Sequence, residues 1–291
     1  MTEDQEFEND DMDPADLIEQ AAAALDAGDK DEAAKVYNAA GNIYMSVAEF
    51  EEAHHCFEES QKIYLSLKDE TGSSDTLYNL GVACINLERW DEAINSLERA
   101  MKLFDKGKNK SGSADAIYGL ALATLGQGNF DQAMEYFKQA QKSYKSLDNT
   151  QGIASVIMDM GAAYADREDW DNAKATIKKA QKLYEEMDDK AGLADALSLL
   201  GDISETNGDE RRAAELFVEA AQNYYDAEIF DISREVLDRA EQKMWDIPKA
   251  TRRRLRKTID DLRDVLPEEE EESDDMGDDI TDDDLLDLDL E

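Results

Sequence analysis

The feature that most constrains the fold is a motif that recurs every 40 residues. It reads EDWDNAKATIKKAQKLY at residues 168–184, and its counterparts are AEFEEAHHCFEESQKIY, ERWDEAINSLERAMKLF, GNFDQAMEYFKQAQKSY and GDERRAAELFVEAAQNY. Small residues recur in two columns: Gly41, Gly81, Ala121, Gly161 and Gly201, then Ala53, Ala93, Ala133, Ala173 and Ala213. Self-similarity at a period of about 20–50 residues is typical of a solenoid, in which each unit stacks on the next.

The spacing inside one unit predicts two helices. Ala173, Ile177, Ala180 and Tyr184 are separated by 4, 3 and 4 residues, which places them on one helical face. We expect this second helix, helix B, at about 170–186, and a preceding helix A at about 153–166. The two should pack closely, because small residues let helix backbones approach while aromatic side chains fill the remaining space. The pattern predicts an all-α fold of antiparallel helix pairs.

Glycines also recur between the units. We expect them in the connections that end one helix and begin the next, at Gly72, Gly112, Gly152 and Gly192. Unit five differs from its neighbours because Glu210 stands where they have an aromatic residue, so we expect it to pack less tightly.

These columns resemble the tetratricopeptide repeat family over about 36–226. The resemblance rests on the small residue of helix A, the aromatic that opens helix B and the two alanine positions of helix B. It implies a right-handed α-solenoid whose inner face is lined by A helices. The unit is longer than the family's standard repeat and lacks its proline after helix B, as in rapsyn-like and kinesin-light-chain-like adaptors.

The ends of the chain predict four regions. Residues 1–13 should be a disordered acidic segment, and 14–247 the repeat array with a first capping helix at 14–26. Asp13 and Pro14 favour that helix start, because acids and proline suit the first turn. A last capping helix is expected within 248–266, and a disordered acidic tail at 267–291.

The charge excludes several classes of partner. The formal net charge is −40, whereas nucleic acids and anionic membranes require a basic surface. The acids concentrate at the ends, since residues 1–13 hold 7 acids and residues 267–291 hold 15, with no base in either. A salt-rich cytosol is an alternative explanation of this acidity. With neither a signal-peptide pattern nor an apolar run that could span a bilayer, we expect a cytoplasmic protein without stable membrane insertion.

The tetratricopeptide resemblance implies a peptide-binding groove along the A helices. Its expected lining is Asn38, Asn42, Met45, Tyr78, Asn79, Val82, Ile85, Tyr118, Leu122, Leu125, Met158 and Asp159. Further acids, Asp166, Asp202 and Glu205, would make one end prefer basic residues. The hypothesis is a groove for a peptide or helix with apolar and basic side chains. The alternative is that these side chains pack against the next A helix. A clamp for a C-terminal carboxylate is not expected, because no basic residue accompanies Asn42 and Asn79.

Two further segments have open interpretations. The basic cluster at 249–257 is either a solvated face balanced by Asp260, Asp261 and Asp264 or a docking site for an acidic segment. The tail sets leucines among acids, a composition typical of segments that fold on a partner. These tail leucines are Leu285, Leu286, Leu288 and Leu290.

Chemistry-bearing motifs are scarce in the sequence. His54, His55 and Cys56 are adjacent, so their side chains point about 100° apart on a helix and cannot easily share one metal ion. Cys56 and Cys84 are expected to be reduced packing residues. We find no phosphate loop and no nucleophile with a base, so neither a metal, a cofactor nor catalysis is expected.

Two functions fit these observations. The first is a protein-interaction scaffold that holds a peptide in its groove and uses the tail as a second contact or regulatory segment. The second is an adaptor for a hexameric ATPase in complex disassembly. It rests on the similarity of DEAAKVYNAAGNIYMSVAEFEEAHHCFEESQKIYLSL to the opening repeats of soluble NSF attachment proteins, which also end in an acidic, leucine-containing stretch.

Overall fold

The computed structural model describes residues 13–245 and 247–267, which form 13 α-helices. They are α1 Pro14–Asp26, α2 Lys30–Ser46, α3 Phe50–Leu67, α4 Glu70–Asn86, α5 Trp90–Gly107, α6 Lys110–Gly126, α7 Phe130–Ser146, α8 Thr150–Asp166, α9 Trp170–Met187, α10 Lys190–Thr206, α11 Glu210–Asp226, α12 Phe230–Gln242 and α13 Lys249–Arg263. No strand occurs within these described ranges, and the predicted all-α fold is confirmed. The expected disordered ends, apart from Asp13 and Pro267, lie outside the described residues. No helix in the described ranges is long and apolar enough to cross a membrane.

Each helix from α3 to α12 begins 20 residues after the start of the helix before it, which is half the 40-residue repeat of the sequence. The connections share one turn, in which a left-handed residue recurs at 28, 48, 68, 88, 108, 128, 148, 168, 188, 208 and 228. The next residue donates its N–H to a carbonyl five residues earlier, as Glu49 does to Tyr44 at 2.9 Å. This is the Schellman motif that ends many helices. The residue that donates also serves as the N-cap of the following helix.

The recurrent glycines of the unit boundaries lie inside the A helices and not in the connections, which corrects our expectation. Gly112 is in the first turn of α6, and its N–H donates to the side chain of the N-cap Asn109 at 3.0 Å. A Cβ on Gly112 would lie 2.6 Å from the ring of Phe104. Gly72, Gly152 and Gly192 meet tyrosine rings in the same way. Glycine is therefore required by close packing between one unit and the next.

The small-residue column packs as expected. A Cβ built on Gly41 would lie 2.5 Å from the Phe57 ring, and one on Gly161 would lie 2.5 Å from Ile177. Unit five is also tightly packed, because Ala213 and Phe217 of α11 are fully buried. The looser packing expected there from Glu210 is not observed.

Successive helices pack on one another along the chain, and α13 contacts both α11 and α12. Successive A helices also touch, as α2 touches α4 and α4 touches α6, which places them side by side along one face. At the two ends, α1 buries Leu17 and Ala21, and α13 buries Leu255, Ile259 and Leu262. The molecule is an α-solenoid of antiparallel helix pairs.

Candidate functional site

The face of the A helices, which we call the A-face, carries a ladder of asparagines at its first step. Asn79 of α4 donates from its amide nitrogen to Asn38 Oδ1 at 3.3 Å and to Asn42 Oδ1 at 3.2 Å, both on α2. Thr76 donates to Asn38 at 3.3 Å. The structure thus brings three of the expected groove residues, Asn38, Asn42 and Asn79, together, and they hydrogen-bond to one another.

Further along the A-face, Tyr118 of α6 donates its hydroxyl to the carboxylate of Asp159 on α8. The ring of Tyr118 also packs edge-on against Tyr144, with centroids 6.3 Å apart. Burial and the Asp159 charge raise the pKa of Tyr118, and burial raises the pKa of Asp159. Both side chains therefore help to join two repeats.

The remaining apolar residues of the expected groove are half-buried. Met45, Ile85, Leu122, Leu125 and Met158 each pack against one of the buried clusters between helices. Val82 is half-buried beside them on α4. These contacts agree with the alternative that much of this surface serves the packing of neighbouring A helices.

The acidic end of the expected groove is largely neutralised. Arg239 of α12 donates to Asp202, and Lys243, which caps the end of α12, donates to Glu205; both acids are on α10. The sequence did not predict these pairs, because the cations lie about one 40-residue unit downstream. Asp166 is exposed and has no ion pair among the described residues. The expected preference for basic residues is therefore not supported at this end.

A different acidic cavity lies between α4 and α6. Its volume is about 280 Å³, and its lining includes Asp75, Tyr78, Asn79, Phe104 and Asp115. Neither carboxylate has an ion-pair partner within residues 13–245 and 247–267. Burial and the charge of Asp69 raise the pKa of Asp75, because both disfavour its ionised form. Of the expected groove residues, Tyr78 and Asn79 line this cavity.

A break in the repeat leaves one carboxylate of this cavity without a tyrosine donor. In unit three the Tyr144 hydroxyl donates to Asp115 at 2.7 Å, and in unit five the Tyr224 hydroxyl donates to Asp195 at 2.6 Å. The corresponding residues of unit two are Asp75 and Phe104, and phenylalanine has no hydroxyl to donate. Asp75 therefore lacks the partner that its counterparts have. Sequence reasoning missed this site, although the recurrent acids at 75, 115 and 195 were a visible signal.

Two family models match the sequence, both described as tetratricopeptide repeat, over residues 34–66 and 72–146. Residues 34–66 and 72–146 are therefore similar to tetratricopeptide repeats. A search of curated protein sequences finds no match. The predicted resemblance is thus supported over these residues, and the matched segments include the unit that contains Asp75 and Phe104.

Solved tetratricopeptide-like structures share the architecture at low identity. Apo RapI superposes with a TM-score of 0.61 at 13% identity, covering 79% of this chain and 83% of RapI. A Rap protein complexed with competence and sporulation factor gives 0.59 at 15% identity, covering 80% and 75%. A signal transduction ATPase with numerous domains and a tetratricopeptide repeat sensor, from Pyrococcus horikoshii, gives 0.62 at 13% identity, covering 87% and 42%. At these identities the similarity concerns the fold alone.

The basic cluster that follows the tetratricopeptide repeats is paired with acids of the preceding helices. Arg254 pairs with Glu215 of α11 at 3.0 Å, and Arg256 lies 3.9 Å from a carboxylate oxygen of Glu241 of α12. Arg252 donates to backbone carbonyls at Trp245 and Ile247. The balancing acids are thus on α11 and α12, not the expected Asp260, Asp261 and Asp264. The tail leucines Leu285, Leu286, Leu288 and Leu290 lie outside the described residues.

His54 does not form a group with its sequence neighbours His55 and Cys56, but with residues of two other helices. His55 is exposed, whereas half-buried His54 lies beside Cys84 of α4 and Glu92 of α5. Burial raises the pKa of Cys84 to about 12 and that of Cys56 to about 11, so both are neutral thiols in the metal-free chain. Sequence reasoning missed this group, because its three members come from three different helices.

Proposed function

We propose that the chain is a non-enzymatic adaptor that binds a peptide segment along its A-face, with a lysine or arginine of that segment between Asp75 and Asp115. The observation that carries the proposal is the open acidic cavity lined by Asp75, Phe104 and Asp115, in which Asp75 has no tyrosine donor. A cation placed there would interact with both carboxylates, only one of which already accepts a hydrogen bond from tyrosine. Charge-assisted bonds of this kind are stronger than neutral ones.

Polar groups around the cavity can also hold the backbone of an extended peptide. The amide nitrogen of Asn79 is committed to Asn38 and Asn42, which leaves its carbonyl oxygen as an acceptor for a peptide N–H. Asn109 and Ser111 complete the polar rim at the start of α6. Half-buried Tyr78 offers an aromatic surface to the aliphatic stem of the basic residue.

The Rap protein crystallised with competence and sporulation factor indicates that an array of this shape can hold a ligand. Nothing about that ligand transfers to this chain at 15% identity. The ligand class proposed here rests on the acids of the cavity.

A displayed library of random ten-residue peptides, selected against the full chain, tests the proposal. We expect enrichment of peptides with a lysine or arginine next to apolar residues. The affinity of a selected peptide, measured by fluorescence anisotropy, should fall at least tenfold in Asp75→Asn. It should fall similarly in Phe104→Tyr, because the added hydroxyl would occupy Asp75 as Tyr144 occupies Asp115.

Asp166→Asn is the matched control, since it removes the same charge from an exposed position of α8. We expect it to change the affinity less than twofold. Selected peptides without basic residues, or equal weakening by Asp75→Asn and Asp166→Asn, would show that the cavity is not the recognition site.

The ATPase-adaptor alternative stays a prediction. It depends on the acidic tail, which lies outside the described residues. Stimulation of a hexameric ATPase by the full chain but not by a chain ending at Leu266 would support it.

A further inference from the structure

Three potential metal ligands meet where the first two repeats join. His54 of α3, Cys84 of α4 and Glu92 of α5 each offer one ligand atom, and these atoms lie within 4.8 Å of one another. The Nε2 of His54 is 3.6 Å from a carboxylate oxygen of Glu92. Three helices therefore place a nitrogen, a sulfur and an oxygen ligand atom close together.

We propose that His54, Cys84 and Glu92 bind one zinc ion. Zinc bonds to sulfur, nitrogen and oxygen are about 2.0–2.3 Å long, so the ligand atoms of a tetrahedral site are about 3–4 Å apart. The observed group needs only small side-chain movements to reach that geometry. A thiolate with an imidazole selects zinc over magnesium and calcium, which prefer oxygen ligands.

The position of each ligand suits such a site. Cys84 is 1% exposed, and its backbone carbonyl accepts the Arg89 N–H at 2.8 Å, which fixes the end of α4. Glu92 is at the surface, with 63% of its side chain exposed, so an ion can enter from that side. The fourth coordination position would be left to water, as in zinc sites with three protein ligands.

The surrounding charge favours a divalent cation. The negative charges of Glu51 and Glu58, together with that of Glu92, raise the pKa of Cys84. Arg89 is the opposing charge, but its guanidinium is bound to both oxygens of Glu51 at 2.9 Å. A bound zinc would deprotonate Cys84 and link α3, α4 and α5, so it would stabilise the junction of the first two repeats.

The chain supplies its own controls, because it has two histidines and two cysteines and only one of each belongs to the group. We would add Co²⁺, a spectroscopic substitute for zinc, to the full chain and record its absorption. We expect one thiolate-to-cobalt charge-transfer band that saturates at one ion per chain. It should disappear in Cys84→Ala, persist in Cys56→Ala and persist in His55→Ala.

Zinc titrations by calorimetry test the other two ligands. We expect His54→Gln and Glu92→Gln to weaken the tight zinc site at least tenfold, with circular dichroism showing that both variants fold. Glu92→Gln is the safer variant, because its side chain is mostly exposed. The proposal fails if the full chain gives no thiolate band. It also fails if Glu92→Gln and His54→Gln bind zinc as tightly as the parent, since binding would then belong to surface carboxylates.

Discussion

Single aromatic residues at the ends of B helices join three helices at once. Tyr144 of α7 donates its hydroxyl to Asp115 of α6, and its ring lies against Gly152 of the following α8. Tyr224 repeats the bond to Asp195 of α10. This position therefore contributes to the packing within a unit and between units. In unit two it is Phe104 and not tyrosine, and there it lines the proposed binding site.

We expect Tyr224→Phe to lower the free energy of unfolding by about 1 kcal/mol, because it removes a hydrogen bond to a carboxylate. The cost is moderate, since Asp195 is exposed and water can replace the lost donor. Urea unfolding followed by circular dichroism measures the change. The neighbouring Tyr225→Phe is the control, because the described residues include no hydrogen-bond partner for its hydroxyl. Equal effects of the two variants would contradict the assigned role of the Tyr224 hydroxyl.

How much of the site could be predicted differs from residue to residue. Tyr78 and Asn79 were expected on the A-face, and both line the open cavity. Asp75 was missed because its importance depends on Phe104, which is 29 residues away and lacks the hydroxyl of tyrosine. Only the folded unit shows that these two side chains line the same cavity. The neutralisation of Asp202 by Arg239 was missed for the same reason. Charges separated by a whole unit become neighbours only when units stack.

At the scale of helices, the turns between them carry local strain. Among the described residues, eight that are not glycine have positive φ, including Ala48 at 61°, whereas Gly28, Gly128 and Gly208 adopt the same conformation without a side chain. A left-handed conformation costs an L-residue about 1–2 kcal/mol. The fold nevertheless uses this turn between all consecutive helices from α1 to α12, because it ends one helix and caps the next within three residues.

Ala48→Gly should therefore stabilise the chain by about 0.5–1 kcal/mol, after the greater freedom of glycine in the unfolded state is subtracted. Gly128→Ala should have the opposite sign. No atom lies within 4 Å of a Cβ built on Gly128, so its cost would be conformational and not steric. Differential scanning calorimetry should show shifts of about 2–4 °C per kcal/mol in opposite directions. Shifts of the same sign would show that the turn does not control stability in this way.

The helices were predictable because each unit repeats one face pattern and each turn has the same length. The pairing of Gly161 with Ile177 follows directly from that pattern. The connections were assigned less well, since Gly112 looks like a breaker in the sequence but lies in the first turn of α6. Glycine is needed at this position because of a tertiary contact: the ring of Phe104 occupies the space that a side chain would fill.

At the scale of the whole molecule, the negative charge opposes the folded state. The formal net charge is −40, and residues 14–266 carry −18 of it after the 22 acids of the two ends are removed. Ion pairs such as Arg89 with Glu51 and Lys106 with Glu70 are mostly exposed, and exposed pairs contribute little each. The repulsion among the excess carboxylates should therefore be larger than the attraction within the ion pairs, and salt should weaken the repulsion more.

We expect the melting temperature of the full chain to rise as sodium chloride increases from 0.01 to 0.1 M. The Debye length falls over that range from about 30 Å to about 10 Å, so the repulsion between distant carboxylates is screened while contact pairs are affected less. Differential scanning fluorimetry in a dilute buffer at constant pH measures the change. Equal concentrations of sucrose are the control, because sucrose carries no charge and should leave the melting temperature nearly unchanged over this range. A flat or falling curve with sodium chloride would show that attractive ion pairs, such as those that join α12 to α10, outweigh the repulsion of the whole chain.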